Sequence, residues 1–327
     1  MRKIVVDIYG ADLGAEPIVT GVGNALKNID GFNAVFVGET DLISGILDKM
    51  GVDENRYEIV HTDKFISHND LPTAVFGGND EASMVMGYDR LKRDEDCIAM
   101  LSPGNTGALL VGSICRLGLV DGIKFPALST ALPCMKGSLV CLVDCGANID
   151  CTAPDLARYA ILGDAFMKSM CKINEPRVGL LCVGREQHKG NTLTKEAYKL
   201  IEALPLNFIG NIEGSDLVCG YADVIVSDGF SGNVLLKTAE SAGKAAMSIV
   251  ESYSTSDNAS LIREIKEHMF RMFDFNSQGG ATFLGPKKTV VKMHGCATQL
   301  TAYACIEQIL RLEDGGFTQM MSEIKLV

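Results

Sequence analysis

Short apolar runs rich in β-branched residues alternate with amphipathic stretches along most of the chain. The apolar runs predict strands at Ile4–Ile8, Ala34–Gly38, Tyr57–His61, Cys97–Ser102, Leu139–Asp144, Val178–Val183, Asn207–Ile209, Ala222–Ser227 and Thr289–Met293. Between them, apolar positions recur at helical spacing in Glu16–Leu26, Glu81–Lys92, Thr106–Leu117, Pro154–Lys172 and Leu193–Leu204. Continuous apolar strands separated by helices are the mark of a mostly parallel sheet covered on both faces. The expected architecture is therefore α/β, a three-layer α/β/α sandwich. From Val234 the pattern changes to two long helices, Leu235–Tyr253 and Leu261–Phe273, joined by the polar turn 252–260. This helical excursion, residues 234–275, precedes one more strand and a helix from Cys296. With no Pro- or Ser-rich linker and no internal repeat, residues 1–327 are expected to form one large unit, with two lobes sharing a sheet as the open variant.

Composition narrows the chemistry. At 327 residues and 47% hydrophobic, the chain can bury a large core, and its formal net charge of −11 argues against a nucleic-acid partner. Any bound phosphate must be held locally, by backbone N–H groups and a few cations. The eleven cysteines fall mostly in apolar segments, with no C-x-x-C pair and no Cys/His spacing that suits zinc. A reduced cytoplasmic protein without metal is expected. The opening MRKIVVDIYG reads as a first strand rather than a leader, and no apolar run is long enough to span a membrane.

The dinucleotide fingerprint, the P-loop and the nucleophile elbow are all missing. What recurs is Gly-Asn: Gly104-Asn105-Thr106-Gly107, Gly190-Asn191, Gly210-Asn211 and Gly232-Asn233, each after an expected strand. Asn is a preferred helix N-cap and Gly permits the tight turn before it, so each taken singly reads as structural. Four such turns at the C-terminal ends of strands point instead to an anion site, because ligands of open α/β sheets bind at that edge. Lys189 and Lys136 supply cations beside turns. Asp144 and Asp228 end strands, where they either cap turns or orient a reacting group. His294 follows the last strand and is the best-placed imidazole for proton transfer, and His188 is a second candidate.

These blocks together resemble the bacterial phosphate acyltransferases of phospholipid synthesis, the PlsX type. The resemblance runs nearly end to end and rests on Ser102-Pro-Gly-Asn-Thr-Gly-Ala-Leu109, Lys136-Gly137, Asp144-Cys-Gly-Ala-Asn-Ile-Asp150 and Lys189-Gly-Asn191. It continues through Asn207-Phe-Ile-Gly-Asn-Ile-Glu-Gly214, Ala222–Lys237 and Val291-Lys-Met-His-Gly295. It implies an isocitrate-dehydrogenase/phosphotransacetylase-like fold, a homodimer, peripheral membrane association and no cofactor. The residues themselves argue for at most weak membrane contact, because the joining turn 252–260 is polar without Lys or Arg and the charges between the apolar positions of Leu261–Phe273 are mixed. The implied reaction is attack of inorganic phosphate on an acyl-acyl carrier protein thioester, with acyl-CoA or a short-chain donor as the alternative. A non-catalytic acyl- or partner-binding homologue is the competing reading. By position, Gly104–Gly107 and Lys189–Asn191 would bind phosphate. Asp228, Gly229, Gly232 and Asn233 would hold the thioester or oxyanion, and His294 would protonate the departing thiolate. Lys136, Asp144, Asn148 and Asn211 complete the expected substrate contacts. Two loops depart from the family pattern. Asp7-Ile-Tyr-Gly-Ala-Asp12 has one glycine fewer, and Asp80-Glu81 stand where the family carries positive charge.

Overall fold

The computed structural model describes residues 1–273 and 278–324, the side chains of residues 270–273 excepted. Its strands are β1 (Arg2–Asp7), β2 (Phe32–Gly38), β3 (Tyr57–His61), β4 (Cys97–Ser102), β5 (Ala127–Pro133), β6 (Leu139–Val143), β7 (Val178–Leu181), β8 (Phe208–Ile212), β9 (Val224–Val226), β10 (Ala281–Leu284) and β11 (Thr289–Lys292). Its helices are α1 (Glu16–Asn28), α2 (Thr40–Met50), α3 (Ser83–Arg93), α4 (Thr106–Gly112), α5 (Ala153–Cys171), α6 (Thr192–Glu202), α7 (Asp216–Cys219), α8 (Gly229–Ser252), α9 (Ala259–Phe273), α10 (Gln299–Asp314) and α11 (Phe317–Glu323). They fall into two compact units, Met1–Pro126 with Gly279–Val327, and Ala127–Gln278.

In the first unit the strand order is β3-β2-β1-β4-β11-β10, parallel except for the β10–β11 hairpin. Alternation along β1 sends Ile4 and Val6 toward α1, α2 and α10, in a core shared with Ile18, Val22, Leu47 and Ile306. Val5 faces the opposite way, toward Gly87 of α3, where an added Cβ would lie 2.9 Å from the Met100 methyl and 3.5 Å from Val5 Cγ1. Helices on both faces make this unit a three-layer sandwich. The chain builds outward from β1 to β3 and then returns to place β4 on the other side of β1. That reversal opens a crevice at the C-terminal ends of β1 and β4.

The second unit orders its strands β5-β6-β9-β7-β8, parallel from β6 onward. Helix α5 starts at a capping box between Thr152 and Asp155 and packs its Gly163 against Val143 and Val224.

Several boundaries differ from the sequence expectation. Strands β5 and β10 and helix α2 were not anticipated. Helix α8 begins at Gly229 rather than Leu235, because Asp228 accepts from the Ser231 N–H and caps it there. Gly232-Asn233 therefore lies inside a helix and not in a turn ahead of one. Gly210-Asn211 lies inside β8, where Gly210 (φ +88°) sits at a register shift against β7. Among the four Gly-Asn pairs, two keep the turn-then-cap arrangement: Gly104-Asn105 before α4 and Gly190-Asn191 before α6. The expected helix Thr106–Leu117 is α4 followed without a break by a wider π turn, Ser113–Leu117.

Candidate active site

Three neighbouring parallel strands, β1, β4 and β11, end at the same edge of the first unit. Their following loops carry Gly10, Gly104 and His294. The β4 loop is held from below. Ser102 Oγ donates to Asp7 at 2.7 Å and accepts from the Gly104 N–H at 3.0 Å. Asp7 is fully buried, and that burial pushes its carboxyl above the usual range, with the Ser102 hydrogen bond opposing. Gly10 (φ +105°) approaches so closely that a Cβ there would lie 2.6 Å from the Gly104 Cα. This is a glycine that the altered first loop retains, and the contact explains why it must.

The Asn105 side chain is fully engaged. Its Oδ1 accepts from the Ala108 N–H at 3.1 Å, and its amide donates to the carbonyls of Ser67, His68 and Asp70. It clasps the loop before α3 and leaves no side-chain donor for a ligand. His68 in turn contacts the Gly10 carbonyl at 2.6 Å. Beyond Asn105 the turn is open. Among the described residues, the N–H groups of Asn105, Thr106 and Gly107 have no protein acceptor, and the Thr106 hydroxyl has no partner. A braced loop with free amides and a free hydroxyl can receive an anion.

After β11, Cys296 Sγ lies 3.1 Å from His294 Nδ1, and both residues are exposed. The Gly295 carbonyl accepts from the Asp12 N–H at 2.7 Å, which ties this turn to the β1 loop. Lys292, which the motif reading did not single out, is the last residue of β11 and only 9% exposed. Its ammonium donates to the Pro103 carbonyl at 2.9 Å and to the Met293 carbonyl. The available signal was a lysine lodged between Val291 and Met293 in an otherwise apolar strand. Burial pulls its pKa down to about 8, against the opposing pull of Asp12 and Asp7.

The second unit gathers the remaining expected residues at the C-terminal ends of β6, β9 and β7. Asp144 is buried and accepts from the N–H groups of Leu128, Gly146, Ala147 and Asn148 and from the Asn148 amide. Its burial raises the carboxyl pKa, and the amide donors resist that rise. The Asn148 carbonyl accepts from Gly229 N–H at 2.8 Å, joining this loop to the start of α8. Gly229 and Gly232 are small for that reason. A Cβ would fall 2.4 Å from the Asn148 carbonyl oxygen in the first case and 1.9 Å from the Asp144 carbonyl oxygen in the second. Asn233 is exposed, with its amide unengaged among the described residues.

Asn191 caps α6 through the Thr194 N–H, and Gly190 (φ +100°) makes the turn before it. Lys189 and His188 are exposed, and Lys189 enters no ion pair among the described residues. Asn211 is buried and donates to the Glu186 carbonyl at 3.0 Å, which steadies the loop carrying Lys189. Lys136 donates to the Gly220 carbonyl at 2.9 Å. Asp144 and the Asn105 side chain thus shape loops with the groups that had been expected to face substrate, while Asn148, Asn191 and Lys136 each also brace a loop. The acidic departure is neutralised locally, since Arg116 pairs with Asp80 at 3.5 Å and Lys64 pairs with Glu81.

The fold is that of α/β phosphotransacetylases. A phosphotransacetylase from Streptococcus pyogenes aligns over 95% of this chain and 94% of its own, with a TM-score of 0.66 at 18% identity. A branched-chain phosphotransacylase from Enterococcus faecalis V583 aligns over 95% and 99%, with a TM-score of 0.62 at 14% identity. Those likenesses speak to fold alone. In sequence, the family model described as "Fatty acid synthesis protein" matches residues 2–320. A phosphate acyltransferase from Thermoanaerobacterium thermosaccharolyticum is 37% identical over 99% of this chain and 97% of its own length. One from Streptococcus pneumoniae is 37% identical over 94% of each. The chain belongs to this phosphate acyltransferase family, and it is an enzyme of the acyltransferase class.

Proposed function

We propose that the enzyme transfers an acyl group from an acyl carrier protein thioester to inorganic phosphate. The products are an acyl phosphate and the free carrier thiol. The observation that carries this reading is the Ser102–Gly107 turn. Among the described residues it presents three unengaged N–H groups and a free hydroxyl, in a chain of net charge −11. A phosphate oxygen attacks the thioester carbon, the tetrahedral oxyanion forms, and the C–S bond then breaks with the electron pair leaving on sulfur. In this reading Thr106 and Gly107 of the first unit are phosphate contacts, and the family resemblance makes Lys189–Asn191 of the second unit candidates in their own right. Asn233 and the N-terminus of α8 hold the oxyanion, with Asp228, Gly229 and Gly232 fixing that helix start. His294 protonates the departing thiolate. No residue needs to be acylated on the way.

The reading also takes in a second copy of the chain as partner and a reducing cytoplasmic setting, consistent with eleven cysteines that are all unbridged. No helix among the described residues is long and apolar enough to cross a membrane. The direct test measures free-thiol release from acyl carrier protein thioester and from acyl-CoA, each with and without phosphate. Phosphate-dependent release with the carrier thioester preferred is expected. Preference for acyl-CoA would change the donor, and no release from either at saturating phosphate would sink the reading.

A further inference from the structure

Two lysines mark the ends of β11 and solve the same problem differently. Lys288, just before the strand, gives all three of its ammonium protons to backbone carbonyls: Leu91 at 2.8 Å, Asp94 at 3.0 Å and Cys97 at 2.8 Å. It closes the N-terminal end of β4 and has nothing left to bind. Lys292, at the other end of the strand, is more deeply buried and has two carbonyl partners, Pro103 and Met293. Its third proton has no protein acceptor, and Lys292 enters no ion pair among the described residues.

A buried ammonium without a paired carboxylate is costly to keep charged. The titratable groups around it are Asp7 on β1, Asp12 on the β1–α1 loop, Cys305 on α10 and Cys296 after β11. Asp7 is committed to Ser102 and Tyr9, while Asp12 is exposed. One of the two carbonyls that hold the ammonium belongs to Pro103, inside the turn whose next residues carry the free amides. The charge therefore sits on a carbonyl of the turn, with Asp12 and Asp7 near enough to favour it and neither paired with it among the described residues.

We propose that Lys292 is the counter-charge of the anion bound at the Ser102–Gly107 turn, completed by the ligand rather than by the protein. The inference deepens the proposed phosphate site and rests on that reading. It assigns to Lys292 the charge that backbone amides alone do not supply.

The test compares Lys292→Met with Lys288→Met, two changes that each remove an ammonium from the same strand's ends. Both variants are expected to lower the melting temperature. Lys292→Met alone should raise the KM for phosphate by about ten- to hundredfold, the loss expected for one charge-assisted hydrogen bond. It should also abolish the rise in melting temperature that inorganic phosphate produces in the wild type, a measurement that needs no turnover. A Lys292→Met protein that behaves like Lys288→Met, with unchanged phosphate KM and unchanged protection, overturns the proposal.

Should Lys292→Met fail to fold, the wild type still decides the matter. Its protection by phosphate should fall as pH rises through about 8, where Lys292 loses its proton, although phosphate itself only gains negative charge over that range. Protection that holds steady across that range is the opposing result. If the wild type releases no thiol yet phosphate protects it in a Lys292-dependent way, the anion site stands and the acyl-transfer reading falls.

Discussion

Asp144 and Asn148 form a closed pair. The Asn148 backbone N–H and side-chain amide both donate to one Asp144 oxygen, at 2.7 and 2.8 Å, while the other oxygen takes three further N–H groups. A carboxylate this engaged shapes the loop and has no lone pair aimed at a substrate. Asp144→Ala should therefore act on stability first. Hydrogen bonds to a charged group contribute about 1.5–3 kcal/mol each, and several donors would be left buried and unmet. The expected loss is at least about 3 kcal/mol, read from the denaturant midpoint. A soluble Asp144→Ala protein with wild-type stability and no activity would return the residue to the chemistry.

The same loop dictates what α8 can begin with. At Gly232 a Cβ would sit 1.9 Å from the Asp144 carbonyl oxygen, a backbone atom that cannot swing aside. Gly232→Ala should give insoluble or grossly destabilised protein. Gly45, in α2, serves as the contrast, because a Cβ added there would meet nothing within 4 Å. Gly45→Ala should stabilise by about 0.5–1 kcal/mol through helix propensity. Equal melting temperatures for the two variants would contradict the packing argument.

Lys189 stands on an exposed loop without an ion-pair partner among the described residues. Lys189→Ala should leave the melting temperature unchanged and raise the KM for phosphate, with the larger effect at low ionic strength because an exposed charge is screened by salt. A folded variant with an unaltered phosphate dependence would remove Lys189 from the site.

The legible parts of this molecule were those with strong local chemistry. Gly104-Asn105 and Gly190-Asn191 were readable as turn-then-cap because both residues act within a few positions of themselves. Gly210-Asn211 misled because a strand bulge and a helix turn both call for glycine, and the pairing with β7 decides between them. Strand β10 escaped because its four residues lie between Gly280 and Gly285-Pro286, a frame that reads as loop. Strand β5 is closed by Pro133 and carries small residues whose pairing with β6 is set by the hairpin. Lys292 was hidden for a different reason: spacing motifs weight residues that face loops, and this one acts from inside a strand.

Cys296 is the thiol best placed to challenge direct attack by phosphate, since its sulfur lies 3.1 Å from His294 Nδ1. Acyl transfer to phosphate needs no covalent enzyme intermediate, so Cys296→Ser should keep phosphate-dependent thiol release close to the wild-type rate. The exposed thiol should nevertheless react readily with iodoacetamide, located by peptide mapping. An acyl group trapped on Cys296, or a well-folded Cys296→Ser without activity, would replace direct attack with a two-step transfer.

The α8–α9 hairpin leaves Ile249, Tyr253, Leu261 and Ile265 exposed, at 61%, 70%, 58% and 37%. So much apolar surface on one hairpin calls for a covering partner. The joining turn is polar and held by Asn258, which donates to the Tyr253 carbonyl. Charge along α9 is mixed rather than basic: Arg263 and Lys266 alternate with Glu264 and Glu267, and Lys266 pairs with Glu251 on α8. Firm binding to an anionic bilayer takes an apolar face together with a basic patch, and this hairpin has the first without the second. A second copy of the chain is the better fit. In the sequence, Phe270, Met272 and Phe273 continue these apolar positions at helical spacing, and their side chains lie outside the described residues. Leu261→Asp and Ile249→Asp are therefore the variants to make. Sedimentation should show a dimer in the wild type and monomer in both variants, with little co-sedimentation with anionic vesicles at physiological salt. Strong vesicle binding by the wild type, lost in Leu261→Asp while the dimer persists, would assign this face to lipid instead.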